Sequence, residues 1–354
     1  MQMIILGSGT SHGVPVIGCE CEVCKSSDSK DKRNRCSAYV IFSDEQKLCE
    51  KDYRILVDCG PEFRLQALTH NIKRLDAVLL THAHIDHCAG LDDLRVFSHT
   101  KSEDSFFENH ECTKKTEKDG CMAISTSNAN FGHTNSGLCV YGNSQALRSI
   151  RKNFSYIFEE TQLGGGKPKL RLVDWAKIES TRESECVTEG KNVKKIEGAR
   201  LSYKLFKDKS LNTYKELSII PIPIMHGRLP CCGYLFCESD SSAVRSIVYL
   251  TDCSVVPDSS VDILKKFGGR IEHLVIDALR ERQHPTHFSY SEALLVAEKI
   301  KAHHTWFTHI CHDKSHSQIR EYCKQNLKNY PHLANIVQNG GSVEPAYDGL
   351  VLKT

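Results

Sequence analysis

The chain lacks any strong excess of charge: 46 Lys and Arg against 44 Asp and Glu leave a formal net charge of +2. That near-cancellation excludes a strongly basic polyanion binder and an acidic tail alike. Long hydrophobic runs are missing too. The longest, over 219–225, is broken by Pro221 and Pro223, and it falls far short of the roughly 18 residues a membrane helix needs. The first residues carry no basic leader and no cleavage-site pattern, so no signal peptide is expected and the expected location is cytoplasmic. An even cysteine count is absent as well. The 17 cysteines, without a secretory signal, argue against a disulfide framework and for reduced thiols, some of them on metal. With 40% hydrophobic and 25% charged residues, the rest of the composition is that of an ordinary globular protein long enough for a sizeable core.

Apolar, β-branched runs predict strands over 3–6, 53–57, 77–80, 138–141, 217–224, 233–237, 246–250 and 273–276. Periodicity predicts a helix starting soon after His87 that carries Leu91, Leu94 and Phe97 inward, and helices over 145–154, 259–267, 289–301 and 315–327. The alternation suggests one domain, 1–354, of the α/β (α+β) class, with helices packed outside β layers. Two polar stretches interrupt it. Residues 98–137 read as a disordered insertion and 177–215 as a solvated, mildly basic loop, with seven Lys or Arg against two acids over 191–209. The glycine-rich segment 7–13 follows the first strand but spaces its third glycine one residue late for a dinucleotide fingerprint, and reads as a tight turn near a metal site.

The decisive segment is Thr81-His82-Ala-His84-Ile-Asp86-His87, directly after an apolar run. In an extended loop His82 and His84 project to one side, and the turn opening the next helix brings Asp86 and His87 alongside. Imidazole and carboxylate are ligands that Zn, Mn or Fe accept, and two such groups side by side suit a two-metal centre. His226, Asp252 and His309 share one context, each just beyond an apolar strand, and are the candidates to complete it.

In this order the motifs resemble the metallo-β-lactamase superfamily, whose fold is an αββα sandwich of two β-sheets flanked by helices. The resemblance implies that His82, His84 and His226 hold one divalent metal (Zn or Mn), that Asp86, His87 and His309 hold another, and that Asp252 bridges them. The two cations would share a water and lower its pKa toward neutrality. Asp58 then stands either as a carboxylate orienting the ligand loops or as a simple turn residue.

Cys19, Cys21 and Cys24 form a compact thiol hook suited to a structural zinc, with His312 as fourth ligand and Cys36 as its rival. The hook, the segments 7–15, 33–38 and 90–95, and His284-Pro-Thr-His287 resemble the subgroup containing the bacterial cyclic-phosphate phosphodiesterase of the carbon–phosphorus lyase pathway. That resemblance implies a general-acid role for His287, so the expected catalytic set is His287, Asp252 and Asp86. His284 would contact the phosphate. Arg33 is either a second phosphate contact or a solvated charge.

The expected activity is dinuclear metal-dependent hydrolysis of a small or cyclic phosphodiester. The alternatives are a tRNA 3′-end-type endonuclease, to which the thiol hook is foreign, a glyoxalase II-type thioester hydrolase, and, last, a non-catalytic zinc-binding protein. A small phosphodiester is the expected partner; nucleic acid is not favoured, no membrane is expected, and a homodimer is left open.

Overall fold

A computed structural model describes residues 1–43, 52–98, 137–160, 166–178, 200–208, 213–240 and 243–354. Most of the expected insertion at 98–137, and the middle of 177–215, lie outside these residues. Within them, two seven-stranded sheets form. The first runs in the order β14 (Val351–Lys353), β1 (Gln2–Gly7), β2 (Ser37–Phe42), β3 (Tyr53–Val57), β4 (Ala77–Leu79), β5 (Leu138–Gly142) and β6 (Leu170–Asp174). The second runs β13 (Ser342–Pro345), β12 (His304–Thr308), β11 (Arg270–Asp277), β10 (Val244–Leu250), β9 (Leu229–Ser239), β8 (Thr213–His226) and β7 (Leu201–Asp208). Each sheet is antiparallel on one side and parallel on the other, with β3 to β6 and β10 to β13 parallel.

Strand alternation builds the layers. In β3, Ile55 and Val57 enter the core between the sheets while Leu56 faces outward. In β9, Tyr234 and Phe236 face the same central core while Leu235 and Cys237 face the other way. The outward sets are covered by helices. Leu94, Phe97 and Ile150 pack on the first sheet, and Leu264, Leu294, Ile319 and Leu333 on the second. With side chains of period two buried on both faces, the strands read as continuous apolar runs, and the result is an αββα sandwich.

Two expectations change. The stretch 177–215 is not one solvated loop: Leu201–Asp208 and the start of β8 are paired strands, because the run from Leu217 to Ile224 extends its ladder outward through more polar neighbours. Pro221 and Pro223 also sit inside β8. They are tolerated because the pairing to β7 ends at Ile219, so the missing N–H groups cost no ladder bond there. The helix expected after His87 is short: a turn at Ile85–Cys88, a 3₁₀ stretch at Ala89–Leu94 and a turn at Arg95–Ser98. Leu91, Leu94 and Phe97 are nevertheless buried.

The sheets are fastened together where β4 ends. Tyr234 Oη donates to the Leu80 carbonyl at 2.6 Å and Cys232 N donates to the Thr81 carbonyl at 2.9 Å. Tyr234→Phe would leave the buried Leu80 carbonyl without that donor, and should lower unfolding free energy by about 1–3 kcal/mol. Urea denaturation of the two proteins checks this.

Candidate metal centre

The seven candidate ligands come from four loops, each leaving a strand at the same edge of the sandwich. Asp252 follows β10 and His309 follows β12, His226 closes β8, and 82–87 follow β4. The turn out of the strand is abrupt. Asp58, Asp252 and His309 adopt φ of 58°, 53° and 58°, a left-handed conformation that aspartate tolerates and histidine adopts rarely. The glycine-rich segment 7–13 lies beside this edge: Thr10 N donates to the Ile310 carbonyl at 3.1 Å and Ile310 N to the Ser8 carbonyl at 3.0 Å. Its Gly7 has to be glycine, since a Cβ there would lie 1.9 Å from the Arg35 carbonyl oxygen.

Two donor groups result. His82, His84 and His226 place ligand atoms within 4.8 Å of one another, and so do Asp86, His87, Asp252 and His309. Asp252 lies between them: its carboxylate is 3.1 Å from His87 Nε2, 3.1 Å from His309 Nε2 and 4.0 Å from His82 Nε2.

Hydrogen bonds determine which nitrogen faces inward. His87 Nδ1 donates to Asp58 Oδ2 at 2.7 Å, and Thr81 donates to the same carboxylate through N and Oγ1, both at 2.8 Å. Since the Thr81 hydroxyl proton is thus committed, its oxygen accepts from His82 Nδ1 at 3.0 Å. His226 Nδ1 donates to the Thr286 carbonyl at 2.8 Å. In each of these imidazoles Nε2 is thereby the nitrogen aimed into the site, the one available to a cation. Asp58 is therefore an orienting carboxylate rather than a turn residue alone.

Electrostatics fit a cation. The buried Nε2 atoms of His82, His87 and His309 make no hydrogen bond among the described residues. Such orphans normally cost about 1–3 kcal/mol each. Burial, reinforced by the neighbouring His87, pushes His82 well below the ordinary imidazole pKa, and burial lowers His226. Burial likewise opposes charge on His87 and His309, but Asp252 outweighs it and raises both, helped at His87 by Asp58. Asp252 is buried, yet His309 and His87 hold it well below the carboxylate range. A carboxylate this deeply enclosed by imidazoles has the chemistry of a bridging ligand.

His287 stands over the site, its ring 4.3 Å from that of His309 and 4.5 Å from that of His226. Its Nδ1 donates to Asp277 Oδ2 at 2.7 Å, and that oxygen also accepts from Cys253 N at 3.0 Å. Asp277 is the functional residue that sequence reasoning missed. It closes the apolar strand β11 just as Asp58 follows β3, so the same signal was available. His284 lies 5.3 Å from His287, ring to ring.

The thiol hook gathers a second cluster of donors. His312 Nδ1 is 3.3, 3.4 and 3.5 Å from the sulfurs of Cys19, Cys21 and Cys24. A tetrahedral zinc places nitrogen about 3.5 Å from each thiolate. The amide of Cys24, then His312, lowers the Cys21 thiol to about 6. Cys36 is excluded as a fourth donor, because its sulfur is buried elsewhere against the Gly9 carbonyl at 3.3 Å and Thr308 Oγ1 at 3.5 Å.

Arg33 requires correction. It is neither a phosphate contact nor a solvated charge: only 4% exposed, it donates to Ser8 Oγ at 2.9 Å and the Ala346 carbonyl at 2.6 Å, with His316 Nδ1 at 3.4 Å. Its guanidinium is consumed in tying the hook's return strand to the C-terminal segment.

Comparison with known proteins gives three results. The profile of the Beta-lactamase superfamily domain matches residues 53–135 and 118–310. An octanoyltransferase of Porphyromonas gingivalis is 31% identical over 313 residues, 88% of this chain and 46% of that protein, so the chain spans less than half of that curated relative. Among solved structures, a diphosphatase of the PhnP family is 30% identical, with 99% of this chain and 96% of that one covered and a TM-score of 0.62. Zinc-bound PqqB from Methylobacterium extorquens, 14% identical with all of both chains covered and a TM-score of 0.55, shares the fold.

Asp58→Asn places an amide among three donors and weakens the hold on His87 and, through the Thr81 hydroxyl, on His82. Divalent-metal affinity should fall about 10–100-fold, measured by competition with a chromogenic chelator, while far-ultraviolet circular dichroism stays native.

Proposed function

The chain belongs to the β-lactamase superfamily, and from that premise we propose that it is a dinuclear metal-dependent hydrolase of small phosphodiesters. The observation that carries this reading is the meeting of seven imidazole and carboxylate donors at one sheet edge, with a carboxylate-bound histidine over them. His82, His84 and His226 would hold one divalent cation and Asp86, His87 and His309 the other, with Asp252 shared. Bound there, two such cations supply Lewis acidity to the non-bridging phosphate oxygens and lower the pKa of a water. Cys19, Cys21, Cys24 and His312 would hold a structural zinc that pins the N-terminal hook beside His309.

The chain's own residues do the rest. Asp58 and Thr81 keep His82 and His87 in the ligating tautomer. Asp277, accepting from Nδ1 of His287, directs Nε2 toward the site and supports the imidazolium. His287 then gives its Nε2 proton to the departing alkoxide, a general-acid step worth about 10²–10⁴ in rate. Arg33 has no part in substrate binding; His284 remains the nearby contact.

A second reading, cleavage of a diphosphate bond, is favoured by the 30% identity across 99% of this chain to a diphosphatase. Both reactions attack phosphorus with the same groups. The transferase name of the Porphyromonas gingivalis relative is not carried over, since this chain aligns with 46% of that protein.

A panel of bis(p-nitrophenyl) phosphate, 2′,3′-cyclic nucleotides, a dinucleoside diphosphate, precursor tRNA and S-lactoylglutathione tests the assignment. Turnover of a phosphodiester or diphosphate is expected, and turnover of the thioester alone would overturn it. His287→Ala should lower kcat about 10²–10⁴-fold on an alkyl ester, and far less on a p-nitrophenyl ester whose leaving group needs no proton. If both esters suffer equally, the general-acid role is wrong. Metal analysis should find about three divalent ions per chain, falling to about two in Cys21→Ser.

A further inference from the structure

Resting on the phosphodiesterase reading, we propose that the cavity beside His287 is a subsite for a leaving group that itself carries a phosphate, and that Arg228 selects it. A general acid must reach the departing oxygen, so whatever leaves has to occupy the space next to His287. That space is a cavity of about 560 Å³, walled by Arg228, Ser254, His284, Thr286, His287 and Glu292. Its size is that of a small-molecule site and exceeds what a simple alcohol fills.

The cation of the wall and its carboxylate are not paired with each other. Arg228 is exposed, and its guanidinium has no ion-pair or hydrogen-bond partner among the described residues. Arg282 pairs with Asp313 at 3.4 Å and Lys314 with Glu281 at 3.0 Å, and Arg280, whose buried Nε makes no hydrogen bond among the described residues, is not part of the wall. The one carboxylate of the wall is also committed. Glu292 Oε2 accepts from the amide and hydroxyl of Ser289, at 2.8 and 2.6 Å, as the cap of the helix Tyr290–Ile300. His284 Nδ1 accepts from the Thr286 amide at 3.4 Å, so its proton sits on Nε2 and is free to be donated.

Arg228 is presented from a rigid base. It sits in the two-residue turn between β8 and β9, after Gly227 at φ 60°. Gly227 N donates to Ser254 Oγ at 2.9 Å, and a Cβ on Gly227 would lie 2.8 Å from Thr286 Cγ2. The turn is thereby pressed against the loop that carries His284 and His287. A guanidinium fork held there matches a phosphate's paired oxygens.

The substrate class that fits is a diphosphate diester. Water oxygen bonds to the attacked phosphorus, the bond from that phosphorus to the bridging oxygen breaks, and the bridging oxygen leaves with a proton from His287. Two monophosphates result, one of them in the Arg228 subsite. A leaving group without a phosphate, such as that of bis(p-nitrophenyl) phosphate, gains nothing from the subsite.

The test compares kcat and KM of the metal-loaded full chain and its Arg228→Gln variant on a symmetric dinucleoside diphosphate and on bis(p-nitrophenyl) phosphate. The ratio of kcat/KM between the two substrates should fall about tenfold or more in the variant, chiefly through KM. A ratio that stays within about twofold overturns the subsite and leaves the phosphodiesterase reading standing. Wild-type turnover of the aryl diester but not of the diphosphate does the same. Failure on both substrates sinks the reading itself and the subsite with it.

Discussion

A buried carboxylate has to be satisfied, and at Asp58 that requirement organises the whole catalytic edge. The side chain is fully buried, and burial alone raises its pKa; His87 and the Thr81 donors oppose that rise. Satisfying it takes the amide and hydroxyl of Thr81 and the Nδ1–H of His87. The same three bonds dictate that His87, and through the Thr81 hydroxyl His82, turn Nε2 inward. One carboxylate on the strand next to β4 therefore determines the orientation of a ligand in each donor group.

The arrangement repeats outward. The Thr286 carbonyl holds His226 as Asp58 holds His87, and Asp277 holds His287. Thr286 links the two, since the loop that orients His226 also carries His287 and walls the adjoining cavity. Gly227 lets β8 turn close against that loop without a side chain in between. The donor groups, His287 and the cavity are thus coupled through packing and not through separate supports.

The thiol hook explains a further part of the design. Cys19, Cys21 and Cys24 meet His312, three residues beyond His309, across a sequence separation of nearly the whole chain. Fastening the N-terminal loop there fixes the segment that leaves the end of β1 and flanks Ile310. Arg33 completes the same fastening from inside, where a guanidinium that resembled a substrate contact instead bridges Ser8, Ala346 and His316.

Strands at 53–57 and 138–142, the helices at 258–267 and 290–300, and the cluster 82–87 were legible because each is a local pattern: apolar alternation, a capping serine, ligand types in close spacing. His226, Asp252 and His309 were legible through position, one polar residue past an apolar strand. Asp277 ends a strand in the same way and escaped notice because nothing local distinguishes a carboxylate that aims a histidine from one that closes a turn. The strands at 201–208 and 342–345 were not seen, since their polar residues acquire strand geometry only from neighbours already in the sheet. By itself, then, the chain's order of residues determined which groups could bind cations and where strands would end. Which nitrogen faces inward, whether Arg33 meets solvent or core, and that Arg228 stands beside His287 were decided only by tertiary structure, because each depends on partners tens to hundreds of residues away.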